Sequence, residues 1–134
     1  MSNMRHELVE AQVEVLRMYL EKKSRQRLLE ALDRLIECTR ASFMEEEALM
    51  ETFTSAPDTG HRDKHNVVLA QLGLLRRCVM DSDRARLLAQ LILVDRQLTS
   101  HISDAAQTPL RQARENMAEH EAMAVSMAEG QAQH

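Results

Sequence analysis

Three glycines and two prolines are all that punctuate a chain of 134 residues. So few breakers favour long uninterrupted helices over a turn-rich β fold. The apolar residues agree, because they recur at helical rather than strand period. A first helix is predicted over about residues 3–22, with Leu8, Gln12, Val15 and Tyr19 on its inward seam. Lys22-Lys23-Ser24 breaks the pattern, and Ser24 is a good N-cap for the next helix. That second helix is predicted over about 25–54, through Leu28, Leu32, Leu35, Thr39, Ser42, Glu46, Leu49 and Phe53. Ser55 to Gly60 is the clearest turn in the chain. A third helix is predicted over about 61–80, with His61, His65, Val68, Leu72, Leu75 and Val79 in register. Asp81-Ser82-Asp83 then breaks and caps a fourth, whose seam is Leu87, Leu91, Val94, Leu98 and His101.

Four amphipathic helices with short connections predict an all-α, up-down-up-down four-helix bundle over residues 1–106. Thr108-Pro109 restarts a helix, because Thr suits the N-cap and Pro the first helical position. Residues 107–134 are therefore read as an additional C-terminal helical segment to about Ala128, with a frayed tail from Glu129. With only Tyr19, Phe43 and Phe53 aromatic, the core has to be built from Leu, Val, Ile, Met and Ala.

Composition narrows the function classes. A net charge of −4, with Lys and Arg dispersed, offers no nucleic-acid footprint. No apolar run approaches a membrane span, and the first ten residues lack the apolar core of a signal peptide. Cys38 and Cys78 are isolated within helical patterns and read as free thiols, so a reducing cytoplasm is the expected compartment.

Each predicted seam carries polar residues inside its apolar stripe: Gln12, Ser42 with Glu46, His61 with His65, and His101. Burying that many polar groups is costly unless they meet one another or a metal ion. His61 and His65 are one turn apart on one helix face, a common spacing for paired imidazole ligands. With His101 and Glu46 they make a set of three histidines and one carboxylate, suited to a divalent metal such as iron or zinc. His6, His120 and His134 fall outside the pattern and are read as solvent-exposed. Glu45 and Glu47 point off the seam and are read as solvated; Asp33, Asp63 and Asp95 are read as surface positions. Gln12 could bond Glu46 or Ser42. No spacing supports a Ser-His-Asp or Cys-His arrangement, and no enzymatic activity is expected.

The order of these motifs resembles the hemerythrin family of non-haem di-iron bundles, and within it bacterial hemerythrin-like proteins with a degenerate metal site. The likeness spans roughly Gln12 to Ala106. The family's second helix carries His-Phe-x-x-Glu-Glu-x-Leu-Met; here Phe43, Glu46, Glu47, Leu49 and Met50 match and Ser42 takes the place of His. The family's His-x-x-x-His is matched by His61 and His65. In its Trp-Leu-x-x-His-Ile-x-x-x-Asp, Leu98, His101 and Ile102 match, with Gln97 in place of Trp and Ala106 in place of Asp. The resemblance implies that His61, His65 and His101 are the three histidines of one metal. It also implies that the histidines of the other are replaced, by Gln12 and Ser42. One remaining carboxylate, Glu46, cannot offset the desolvation of a second ion, so neither a di-iron centre nor oxygen carriage is expected. Asp104 either reaches the site from a bent helix end or is an exposed helix-end residue.

A mononuclear iron enzyme using O2 or peroxide would need open coordination positions and a substrate pocket that nothing in the sequence supports, and two other readings stand ahead of it. One is a hemerythrin-like protein holding one divalent metal at His61, His65, His101 and Glu46, in sensing or metal handling. The other is a metal-free interaction or regulatory module that kept the fold and lost the chemistry. Its contact surface, for a protein partner or self-association, would be the Met-rich C-terminal segment from Met117 to Met127.

Overall fold

In a computed structural model, residues 4–53, 59–103 and 108–132 are described. They form five α-helices and, among the described residues, no strand. The helices are α1 (Met4–Leu20), α2 (Arg25–Phe53), α3 (Thr59–Met80), α4 (Arg84–Ser103) and α5 (Thr108–Ala132). The predicted helices are all present. The boundaries move slightly: α3 begins two residues before His61, and α5 continues as helix to Ala132 rather than fraying from Glu129. No strong breaker lies between Glu129 and Ala132 except Gly130, which a helix tolerates at modest cost. Of the expected turn from Ser55 to Gly60, Thr59 and Gly60 belong to α3, and residues 55–58, like the boundary near residue 106, lie outside the described residues.

The two short connections close in the same way. Lys23 N–H bonds Met18 O and Lys22 N–H bonds Tyr19 O, with Lys22 at φ 54°. Asp83 N–H bonds Cys78 O and Ser82 N–H bonds Val79 O, with Ser82 also at φ 54°. Both are Schellman caps that satisfy the orphan carbonyls of a helix end, built here without glycine at the left-handed position. The next helix starts at once: Ser24 Oγ accepts from Arg27 N–H at 3.3 Å, and Asp83 Oδ1 from Arg86 N–H at 3.2 Å. These two N-caps are the ones the sequence predicts.

Helix α1 packs on α2, α2 on α3 and α3 on α4, while α5 packs on α2. Polar contacts show which ends meet. Arg25, at the start of α2, donates to Met80 O at the end of α3, and Arg76 pairs with Asp33 further along. Arg5, at the start of α1, donates to Ile102 O at the end of α4. Halfway along the same two helices, Gln12 reaches Asp95.

One core runs through α1–α4. Leu8, Val15, Leu28, Leu32, Leu35, Val68, Leu72, Leu75, Val79, Leu91, Val94 and Leu98 are all buried, as their seam positions predict. Ala11, Met18, Ala31 and Phe43 join them from flanking positions. A smaller cluster joins α2 to α5: Met50 and Ala113 are buried, with Leu49 and Phe53 against them. Asn116 also donates to Phe53 O. Beyond that contact, residues 118–129 of α5 are exposed throughout. Cys38 and Cys78 are free and half-buried. Among the described residues, no helix is long and apolar enough to cross a membrane.

The register of α3 is directly testable. Leu72 is fully buried, whereas Leu74, two residues on, is 47% exposed. Leu72→Ala is expected to cost about 2–5 kcal/mol of unfolding free energy in urea titration. Leu74→Ala should cost no more than about 0.5 kcal/mol. Similar losses at both positions would contradict this packing.

Candidate metal centre

Four polar side chains meet inside the half of the bundle where α2 ends, α3 begins and α4 ends. Glu46, His61, His65 and His101 are all buried, and one potential ligand atom from each lies within 4.8 Å of the others. The helical period explains how. Positions 61 and 65 are one turn apart on the face of α3 that carries Val68 and Leu72 inward. Position 101 continues the Val94–Leu98 seam, and position 46 the Thr39–Ser42 seam. The site is the polar continuation of the apolar core.

The three imidazoles converge on one atom. Glu46 Oε2 lies 2.9 Å from His65 Nε2, 2.9 Å from His101 Nε2 and 3.3 Å from His61 Nε2. Phe43 walls the site. Its ring stacks on His65 at 3.8 Å between centroids and 4° between planes, and meets His101 edge-on at 4.9 Å. The His61 and His65 rings pack nearly perpendicular at 4.2 Å. These contacts restrict ring rotation, so the nitrogens are held towards the centre.

Burial is the largest influence on Glu46 and pushes its carboxyl upward. Hydrogen bonds from His101, His61 and His65, with the attraction of His101, outweigh it and hold the carboxyl well below its usual value. Glu46 is therefore an ionised, electron-rich acceptor in a buried pocket.

Glu47 corrects the sequence reading. It is not simply solvated: its Oε1 lies 3.0 Å from His65 Nδ1. Both nitrogens of His65 therefore face carboxylate oxygens. A neutral imidazole carries one N–H and can donate to only one of them. If Nδ1–H donates to Glu47, the Nε2 lone pair points into the centre, where only a cation reconciles it with Glu46. That is the orientation a metal-ligating histidine takes when a carboxylate holds its far nitrogen. A doubly protonated His65 bridging both carboxylates satisfies the same contacts without a metal.

The size suits a small ion. With bonds of roughly 2.0–2.2 Å, tetrahedral donors lie about 3.3–3.6 Å apart and trans octahedral donors about 4.0–4.4 Å. Glu46 Oε2, at 2.9–3.3 Å from the three nitrogens, would have to draw back slightly to admit an ion, and the other donor atoms, all within 4.8 Å, need only modest shifts. The cluster could hold a metal ion, and its nitrogen and carboxylate donors do not by themselves select which one.

The remaining candidates separate from the cluster. Gln12 is buried but bonds neither Glu46 nor Ser42 among the contacts present. Its amide donates to Asp95 Oδ1 at 2.6 Å and Thr99 Oγ1 at 3.1 Å, both on α4. Asp95, read from sequence as a surface position, is half-buried for the same reason. Ser42 is buried one turn before Glu46. Asp104 and Ala106 lie outside the described residues. His6 is exposed beside Glu10, and His120 is exposed near Phe53, so both stand apart from the cluster. His134 lies outside the described residues.

No family model, curated protein or solved structure matches this chain.

The position of Glu46 sets an acid dependence for the metal-free chain. Its folded pKa lies below the usual 4.5, so its contacts stabilise the fold fully above that value. That contribution is lost as pH falls through the folded value. In chelator, the stability gap between wild type and Glu46→Gln should be widest near neutrality. It should narrow progressively as the pH is lowered below 4.5. A gap that does not change with pH would show that the carboxylate is not held ionised by the imidazoles.

Proposed function

We propose that this chain is a hemerythrin-like, up-down-up-down bundle that binds one divalent metal through His61, His65, His101 and Glu46. The observation that carries this is the convergence of three Nε2 atoms on Glu46 Oε2, with His65 Nδ1 already engaged by Glu47. The end-to-end pairings of α2 with α3 and of α1 with α4 support the up-down order. The mixed imidazole and carboxylate shell fits iron(II) or zinc(II).

The same geometry argues for one ion rather than two. A second metal needs ligands from α1 and from α2 one turn before Glu46. Those positions hold Gln12, whose amide is committed to α4, and Ser42. A neutral hydroxyl and a distant amide offer too little charge to draw a second divalent ion out of water. When bound, a single ion would supply a Lewis-acidic centre. The protein's own groups orient the imidazoles, exclude bulk water behind Phe43 and fix the His65 tautomer through Glu47. On this reading the bound ion serves sensing or metal handling.

Protein purified without chelator should contain close to one equivalent of metal by elemental analysis. Added Fe(II) or Zn(II) at a hundredfold excess over Kd should stabilise the fold by about 2.7 kcal/mol. His101→Ala should abolish both effects while leaving helicity intact, and Glu47→Ala should weaken binding about 10–100-fold. No metal, with no thermal shift on addition, would refute the reading.

A second reading rests on a separate observation. The outer half of α5 exposes Met123 (66%), Val125 and Met127 (63%), the adaptable apolar side chains a partner helix could cover. On this reading, α5 mediates self-association or partner binding. Met123→Lys with Met127→Lys, one turn apart on the same face, should then abolish any self-association seen by sedimentation. Unchanged association would exclude this face as the contact.

A further inference from the structure

At the opposite end of the bundle, where α1 and α3 end and α2 and α4 begin, all four helices surround an open cavity of about 470 Å³. Its floor is the end of the main core, formed by Met18, Leu28 and Val79, all buried. Leu20 stands at the mouth, 74% exposed. The rim is basic: Lys22, Lys23, Arg25 and Arg84 line it, and no acidic side chain does. This is unexpected in a chain of net charge −4. Asp83 is turned away to cap α4 and pair with Arg86, whereas Glu21, 4.0 Å from Lys23, partly offsets that one rim charge. Arg25 is engaged by Met80 O and Ser82 Oγ. Among the described residues, neither Lys22 nor Arg84 pairs with a carboxylate.

The volume falls within the range of small-molecule pockets. An apolar floor beneath a basic rim in which, among the described residues, Lys22 and Arg84 lack a carboxylate partner is complementary to one kind of ligand: an apolar tail ending in an anion. A fully apolar ligand would leave the rim charges without a partner, and a small inorganic anion would leave the floor uncovered. We infer that this cavity is a binding site for a free fatty acid, with its hydrocarbon chain on Met18, Leu28 and Val79 and its carboxylate between Lys22 and Arg84. The site is separate from the histidine cluster and does not depend on metal binding.

Calorimetric titration of the full chain with octanoate, decanoate and dodecanoate, each below its micelle concentration, tests this. One site per chain is expected, with affinity rising by up to roughly fourfold for each added methylene as the chain is buried. Dodecyltrimethylammonium, with the same tail and opposite charge, should bind at least about tenfold more weakly. Lys22→Gln with Arg84→Gln should lower dodecanoate affinity about tenfold and leave dodecanol binding unchanged. Both substitutions are on exposed residues, so the fold is retained, and circular dichroism confirms it. Three results would overturn the inference: no saturable uptake of any acid, equal uptake of the cationic surfactant, or unchanged dodecanoate affinity in the double variant. Sedimentation showing this end already buried in a dimer that fatty acid does not dissociate would assign the cavity to a second copy instead.

Discussion

A single carboxylate oxygen buried among three imidazoles is the constraint on which this half of the bundle depends. An unpaired carboxylate in an apolar core is prohibitively costly, so Glu46 can stay ionised only while its partners remain in place. Those partners come from α3 and α4, 15, 19 and 55 residues further along the chain. Any slip of α2 against α3, or of α3 against α4, would separate them and strand the charge. The apolar seams set the helix faces. The cluster adds a directional requirement that apolar packing alone does not impose.

Much of this arrangement was legible in the sequence. Helical period placed Leu72, Leu98 and their neighbours in the core, and it placed Glu46, His61, His65 and His101 on the same inward faces. Six polar residues interrupting apolar stripes signalled a polar centre, and four of them, Glu46, His61, His65 and His101, meet there. What the period could not show was flank chemistry. Glu47 is one residue off its seam, yet a half-buried flank position still reaches His65 across the α2–α3 contact. Phe43 also lies beside its seam, and its packing on the rings depends on rotamers that a one-dimensional pattern does not carry. Gln12 was legible as buried but not as a partner of α4, because its reach depends on how closely α1 and α4 approach. The outer half of α5, whose pattern is only weakly amphipathic, gave no sequence indication of how far it would leave the bundle.

The two ends of the bundle divide the chemistry. One end holds a buried, anionic pocket lined with nitrogen donors. The other opens onto an apolar floor beneath a basic rim in which, among the described residues, Lys22 and Arg84 lack a carboxylate partner. The lengths of α2 and α3 keep these ends apart: Glu46 and Leu28 are 18 positions apart on one helix, roughly 27 Å at 1.5 Å per residue. A rigid core of Leu and Val joins them, so each end can be altered by substitution without dismantling the other.

The central claim is that three imidazoles face a common point because they are metal ligands. X-ray absorption on protein loaded with one equivalent of Fe(II) or Zn(II) tests it most directly. The account predicts a mononuclear centre with imidazole nitrogens at about 2.0–2.2 Å and three-histidine multiple scattering, reduced by one ring in His101→Ala. A shell of water and carboxylate oxygens without imidazole scattering, or a metal–metal vector, would contradict it.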